Sequence, residues 1–534
     1  MLFTRRNAVI GGASAFVTPR FAIAQADSRP SITIAVQKVA TSNTLEPLRE
    51  VSNVGQRTFS LFLESLLDLD WIGDMGMKPM LARSVRRIDF KTLELKLREN
   101  VRMHNGDVLS VEDVAFSFGK ERMWSGAPLA PGAYVNNNAG LATKTPPMEV
   151  PQIAKGSFPG FEKIEIVDRN TIRFVNSVPD LALEGRLTRF TAAIISQRAF
   201  NESANWMEWA RKTIGTGPYK IVDYKPDNML LLEAHDDYWG GRPPIKQIRL
   251  VETPEISTRV NGLLAGDFDF ACDLPPDQIP TVEKSARHHV VGGKITNIRM
   301  TSFDKTHPVL QDPRVRLAMA WSVDRQGIVD ALWAGRTGVP RGMQLEFFGD
   351  MYLSDWQSPG FDPARAKALL KEAGYKGDPI PYQLLNNYYT AQVPTAQILV
   401  EGWKAVGLNV EIEMKENWSQ VLEPTPRRGI CDGSVSAWFP DPSASTAAFA
   451  PGAQNWMTKQ WQNDDGAAAV LALQTGTDLA QRRAAFRRVL EIVEVQDPGY
   501  IVLHQNGTFT GTRKDFKWKP AGSFVMDMRP YNWG

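Results

Sequence analysis

The sequence predicts an α/β protein with mixed sheets, flanking helices and more than one domain. Three observations carry that prediction. A length of 534 residues is several times the roughly 150 residues of an ordinary domain. Strict apolar–polar alternation recurs along the chain. It is clearest at Lys91–Arg98, where Leu93, Leu95 and Leu97 share one side and Glu94, Lys96 and Arg98 the other, the pattern of a half-buried antiparallel strand. Stretches with helical spacing and capping signals lie between such runs. Around 381–386, 392–405 and 408–414 the order strand, helix, strand reads as a β-α-β unit.

Taken in order, the first 26 residues stand apart from the fold. Thr4-Arg5-Arg6 precedes the apolar run Ala8–Val17, and Ala22-Ile23-Ala24-Gln25-Ala26 offers small residues at A-x-A spacing. This is an export signal with a twin-arginine start, too short to span a bilayer as an ordinary helix, with cleavage expected after Ala26. Its removal takes away Arg5, Arg6 and Arg20 and no acid. That leaves 58 basic residues, three fewer than the 61 of the full chain, against 59 acids. The mature charge of −1 argues against a nucleic-acid partner, which needs clustered excess Lys and Arg. No later stretch is apolar for the ~18 residues that a membrane helix needs, so the mature protein is expected in the periplasm.

Ser31–Gln37 reads as a first strand and 56–69 as a helix, with Phe59, Phe62, Leu63, Leu66 and Leu67 near helical spacing. Ser110-Val111-Glu112-Asp113 is a capping box opening the helix that carries Val114, Phe116 and Phe118. Ile214–Lys220, I-G-T-G-P-Y-K, has glycines but no G-K-S/T ending, and Pro218 lacks a donor that a phosphate cradle would use. It is a tight turn leading into a strand. Strands at Lys163–Val167, Thr171–Val175, Met229–Glu233, Ile245–Val251 and Phe268–Cys272 and a helix at Glu255–Leu264 complete the first part. After Pro275-Pro276 the organisation restarts. Asp312-Pro313 and Asp362-Pro363 each place Asp as N-cap and Pro at the first helical position, and Gly374 ends the second of these helices. A last long helix is expected over about 478–495, followed by a strand from Tyr500. The cysteines, Cys272 and Cys431, lie too far apart in sequence to decide for or against a disulfide.

Ser434–Thr446, S-V-S-A-W-F-P-D-P-S-A-S-T, is a strand-like run stopped by Pro440 and Pro442. Trp438 sits where the strand ends, either as a core aromatic or as a binding group. Trp418, Trp456 and Trp461 also fall at interruptions of the periodic pattern. Asn386-Asn387-Tyr388-Tyr389 ends a strand and offers amides and phenols. The histidines His104, His235, His288, His289, His307 and His504 form no ligand cluster in sequence, so no metal or cofactor is expected. Neither G-x-S-x-G nor H-E-x-x-H occurs, and no enzyme activity is expected.

Four ordered stretches together resemble the solute-binding proteins of the dipeptide/oligopeptide class, family 5, which serve ABC importers. They are L-R-E-N-V-R-M-H-N-G-D-V-L-S-V-E-D-V-A-F (97–116), Ile214–Lys220, L-Q-D-P-R-V-R-L-A-M-A-W-S-V-D-R (310–325) and F-D-P-A-R-A-K-A-L-L-K-E-A-G-Y (361–375). The resemblance implies a two-lobed periplasmic-binding-protein clamp with an extra subdomain in lobe one. It places lobe one at about 31–274 plus 496–534, with an inserted subdomain at about 71–205, and lobe two at 275–495. Hinges are expected near 272–276 and 496–499. It further implies a monomer that binds a peptide-sized solute in the cleft and delivers it to membrane permease subunits. In this setting Asp324-Arg325 is expected to pair locally and His104 to hold a turn.

In peptide-binding relatives an Asp three residues before the D-P pair holds the peptide's α-ammonium. Counting back from Asp441-Pro442, that register falls on Trp438, and the relatives' Trp falls on Val435. The departure points either to a di- or oligopeptide held differently or to a sugar-containing or modified compound. Trp418 matches another ligand-contacting position. Asp441 serves either as a turn residue or as a displaced carboxylate. The candidate ligand-binding set is Trp438, Trp418, Asp441, Ser436, Asn387, Tyr388, Tyr389 and Trp456. The other readings are a secreted hydrolase of peptides or glycosides and a metal-chelate or haem-binding member of the same fold.

Overall fold

The computed structural model describes residues 27–127, 142–386, 388–423, 425–451, 453 and 460–533. The export signal therefore lies outside the described residues, as do Asn387 and Trp456. A ten-stranded sheet runs in the spatial order Val410–Lys415, Ile380–Leu385, Ile430–Ser436, His288–Phe303, Tyr500–Arg513, Phe270–Ala271, Ser31–Val36, Gln247–Glu252, Met229–Ala234 and Tyr219–Lys225. Its two ends carry two bodies. The first is built on the strands from both chain ends, the second on the strands of the chain's middle.

Local chemistry explains the elements. In the strand Thr92–Leu97, Leu93, Leu95 and Leu97 are buried while Lys96 is exposed. Each buried leucine contributes about 1.5–3 kcal/mol of burial free energy. That strand belongs to a separate antiparallel sheet within 71–205, ordered Ala82–Arg87, Thr92–Leu97, Thr171–Asn176, Phe161–Asp168. Its leucines share one core with Ile32, Ile34, Leu230 and Leu250. Ser110 and Asp113 form the expected reciprocal cap on Val111–Ser117. Asp312 and Asp362 cap their helices through the backbone N–H of Arg314 and Arg365, and Gly374 closes the second at φ 68°. Ile380–Leu385 is buried along its whole length because it pairs in parallel with strands on both sides. The helix expected over 56–69 is shorter: it runs Asn53–Phe62 from a Ser52 cap, and Leu67–Leu69 pairs as a strand with Met77–Pro79.

Two long antiparallel strands, His288–Phe303 and Tyr500–Arg513, run through both bodies. Residues 288–294 pair with 507–513, and Ile298–Ser302 pair with 500–505; the register breaks between Lys294 and Ile298. The segments expected to join the lobes are both packed against neighbouring elements. Leu274, Ile279 and Val282 pack with Val260 and Leu263, so the chain is still in the first body beyond 275. Asp497 sits inside the second body: it pairs with Arg316, and its carbonyl accepts from Trp461 Nε1 at 3.0 Å. The two long strands also extend from the core of one body to that of the other.

Candidate functional site

Ile430–Ser436 lies beside the second half of His288–Phe303, with Ser436 opposite Asn297. Serines at 434 and 436 share a face because side chains alternate along a strand. Asn297 Nδ2 donates to both, at 3.2 Å to Ser434 Oγ and 2.8 Å to Ser436 Oγ. Asn506 in turn donates to Asn297 Oδ1. These groups lie on the register break, between the bodies. Asn53 of the first body reaches across to Ser434 Oγ at 3.0 Å.

Beyond Ser436 the prolines turn the chain, and Trp438 and Phe439 leave in different environments. Phe439 is fully buried against Ala182 of the first body and Ala444 of the second. Gly185 lets it in, since a Cβ there would stand 2.7 Å from the ring. Arg186, paired with Asp180 at 2.7 Å, lies over the same ring at 5.7 Å. Trp438 is half-buried and lines a narrow crevice together with Gln56, Trp71, Arg189, Phe190, Asn297 and Ser436. Trp71 and Phe190 stack at 6.4 Å, and the Arg189 guanidinium stands 5.0 Å from the Trp438 ring centre. Burial, followed by the neighbouring Arg186 charge, pulls the Arg189 pKa down to about 9.

A second aromatic group adjoins through Ser434. Tyr388, Tyr389 and Trp418 meet edge to face at 4.8, 4.9 and 6.0 Å. Gln392 Oε1 accepts from the backbone N–H of Tyr388 and Tyr389 and fixes their loop. The Tyr389 ring covers Arg299 at 3.9 Å. Arg299 is buried and paired with Asp432, which also accepts from Gln392 at 2.6 Å and Tyr382 at 3.1 Å. Burial opposes the Arg299 charge, but Asp432 together with Tyr382 and Tyr389 outweighs it and raises the pKa of the guanidinium. Burial also pushes the Tyr388 phenol well up and the Tyr389 phenol to about 12, so both are neutral donors at ordinary pH.

Of the sequence-predicted residues, the fold brings Trp438 and Ser436 into the crevice and Tyr388, Tyr389 and Trp418 into the adjoining cluster. Asp441 turns away: it pairs with Arg482 at 2.8 Å and caps the turn through Ser443 N–H at 2.9 Å. Its carboxylate is engaged as a turn residue. Trp461 is a core residue, packed on Phe449 at 5.1 Å. Cys272 and Cys431 are both free and buried. Gln56, Trp71, Asn297, Arg189 and Phe190 were missed; single residues scattered over ~240 positions carry no periodic signal. Among the described residues no three His, Cys, Asp or Glu side chains gather as a metal site, and no helix is long and apolar enough to cross a membrane.

Comparison with known proteins places this geometry. The profile of Bacterial extracellular solute-binding proteins, family 5 Middle, matches residues 76–457. The chain is 24% identical to the Dipeptide-binding protein of Escherichia coli K12 over 450 residues, covering 80% of this chain and 81% of the relative. The fold matches the ABC transporter-associated periplasmic binding protein DppA of Helicobacter pylori, solved with the peptide STSA, at a TM-score of 0.79 and 19% identity, covering 94% of this chain and 98% of the other. It also matches AgaA of A. tumefaciens R10, solved with agropinic acid, at a TM-score of 0.75 and 18% identity, covering 93% and 96%. With the profile spanning well over half of its length, the chain belongs to the family 5 bacterial extracellular solute-binding proteins.

Proposed function

We propose that this protein is the solute-capturing component of an ABC importer. It is exported, loses residues 1–26, and works as a monomer outside the inner membrane. It closes its two bodies on a peptide-sized solute and hands that solute to the membrane permease. The observation that carries this reading is the crevice itself. It lies between bodies whose sheet is continuous through two strands, with apolar rings on its walls and amide and hydroxyl groups on its floor. Such a surface holds a small molecule by shape and a few hydrogen bonds. The register break at Lys294–Ile298, facing Gln505–Gly507, is where we place the hinge. A bulge interrupts ladder hydrogen bonds, so bending there disturbs neither core.

Trp438 is the central contact of this reading, standing where peptide binders carry an ammonium-holding acid. The solute is a di- or oligopeptide or a peptide-like or sugar-containing compound laid against its ring. Trp438→Ala is expected to weaken binding of a solute found by thermal-shift screening at least tenfold, about 1.4 kcal/mol. The unliganded melting temperature should stay near that of the parent. An unchanged Kd would remove Trp438 from the site.

A further inference from the structure

The crevice has an unusual charge balance. Among the described residues, Arg189 is the only ionised side chain lining it. Among the described residues no carboxylate pairs with this guanidinium, whereas its neighbour Arg186 is matched with Asp180, and other arginines of the protein are matched too: Arg57 with Asp273, Arg299 with Asp432 and Arg482 with Asp441. The neighbouring charge that acts on it is another cation, Arg186.

A second observation is independent of charge. Gln56 lines the same crevice, is 4% exposed, and its Nε2 is a buried donor with no acceptor. Buried donors are ordinarily satisfied, and an unmade bond costs about 1–3 kcal/mol. A planar amide donor and a guanidinium fork facing one space suit a carboxylate, which accepts bidentate hydrogen bonds from both. The Trp438 ring lies beside this pair, 5.0 Å from the Arg189 guanidinium.

We propose that the crevice selects a solute carrying a carboxylate, which Arg189 and Gln56 bind, and that it requires no ammonium on that solute. The proposal rests on the reading of the protein as a solute-binding clamp and specifies the chemistry of its ligand. Binding would return to Arg189 the counter-charge that the fold withholds.

The test uses the mature full chain and a panel of dipeptides. Each dipeptide is presented in three forms: free, N-acetylated with a free carboxylate, and C-terminally amidated with a free amine. Calorimetric titration should give N-acetylated acids binding as well as the free peptides, and amides at least tenfold weaker. In R189M the acid–amide difference should vanish, and Q56L should weaken the acids several-fold. Q56L should not melt lower than the parent, since it loses no hydrogen bond within the protein, and R189M, which gives up only the contact with the Trp438 ring, should melt no lower than Trp438→Ala; a lower melting temperature for R189M than for Trp438→Ala would reveal a structural role and overturn the assignment. Equal binding of acids and amides, or a strict need for the free amine, would overturn the charge selection while leaving the clamp intact. Absence of binding for all three forms would count against both.

Discussion

At the scale of the residue, Phe439 is the contact that most directly joins the two bodies. It is fully buried, yet half its surroundings belong to the other body, so opening the clamp exposes it. Full burial of a Phe contributes about 1.5–3 kcal/mol, a reserve that favours the closed form before any solute arrives. Gly185 is the permissive partner. Gly185→Val should hold the bodies apart and expose Phe439, lowering both the unliganded melting temperature and, at least tenfold in titration, the solute affinity; wild-type affinity would show that the contact is not needed for closure. Neither residue was legible in the sequence. Phe439 looked like one more aromatic before a proline, and Gly185 like an ordinary small residue, because only topology brings position 185 to position 439. Arg325 makes the same point in reverse. Its adjacency to Asp324 suggested a local pair, but Asp324 caps its helix through Gly327 N–H. Arg325 turns inward instead, donating to Val502 O at 2.6 Å.

At the scale of the element, boundaries set by capping chemistry were legible. Asp312, Asp362, Ser110 and Gly374 all act locally, within one turn of the chain. The His104 turn is a further case: His104 Nε2 meets Gly217 O at 3.0 Å, tying one turn to the next. What sequence missed is the reach of the long strands, since a 16-residue strand that changes core halfway has no single apolar face. The same strands carry a titration signature. His504 is 1% exposed beside Trp333, and burial pulls its pKa to about 3; burial does the same to His104. The unfolded chain protonates these rings near pH 6.5, so their neutral burial is undisturbed above that pH. Below it the unfolded state binds more protons, and stability falls as pH drops from 6.5 toward 3. The slope approaches about 1.4 kcal/mol per pH unit for a fully buried ring. Denaturant unfolding at pH 7 and pH 5 should show His504→Gln with a smaller acid-induced loss than the parent. Equal losses would mean that another group dominates.

At the scale of the whole molecule, the two-body plan was legible through four family-like stretches, all of them scaffold. The position of the crossing was not. Chain order suggested joints at sequence breaks, whereas the bodies share a sheet whose strands simply continue from one core into the other. The Trp438 register proposed above was legible only as a count back from Asp441-Pro442. The crevice it lines was not, because its walls come from residues 56, 71, 189 and 190 of the other body. We propose that a molecule with this plan captures a solute and releases it unchanged. Its central claim is therefore stoichiometric, unreactive binding between the bodies. The most direct measurement is native mass spectrometry of the mature protein mixed with peptide and peptide-like solutes. The account predicts a one-to-one complex that releases the solute at its original mass and is lost in Trp438→Ala. Release of a cleaved solute, or a complex that persists undiminished in the variant, would contradict it.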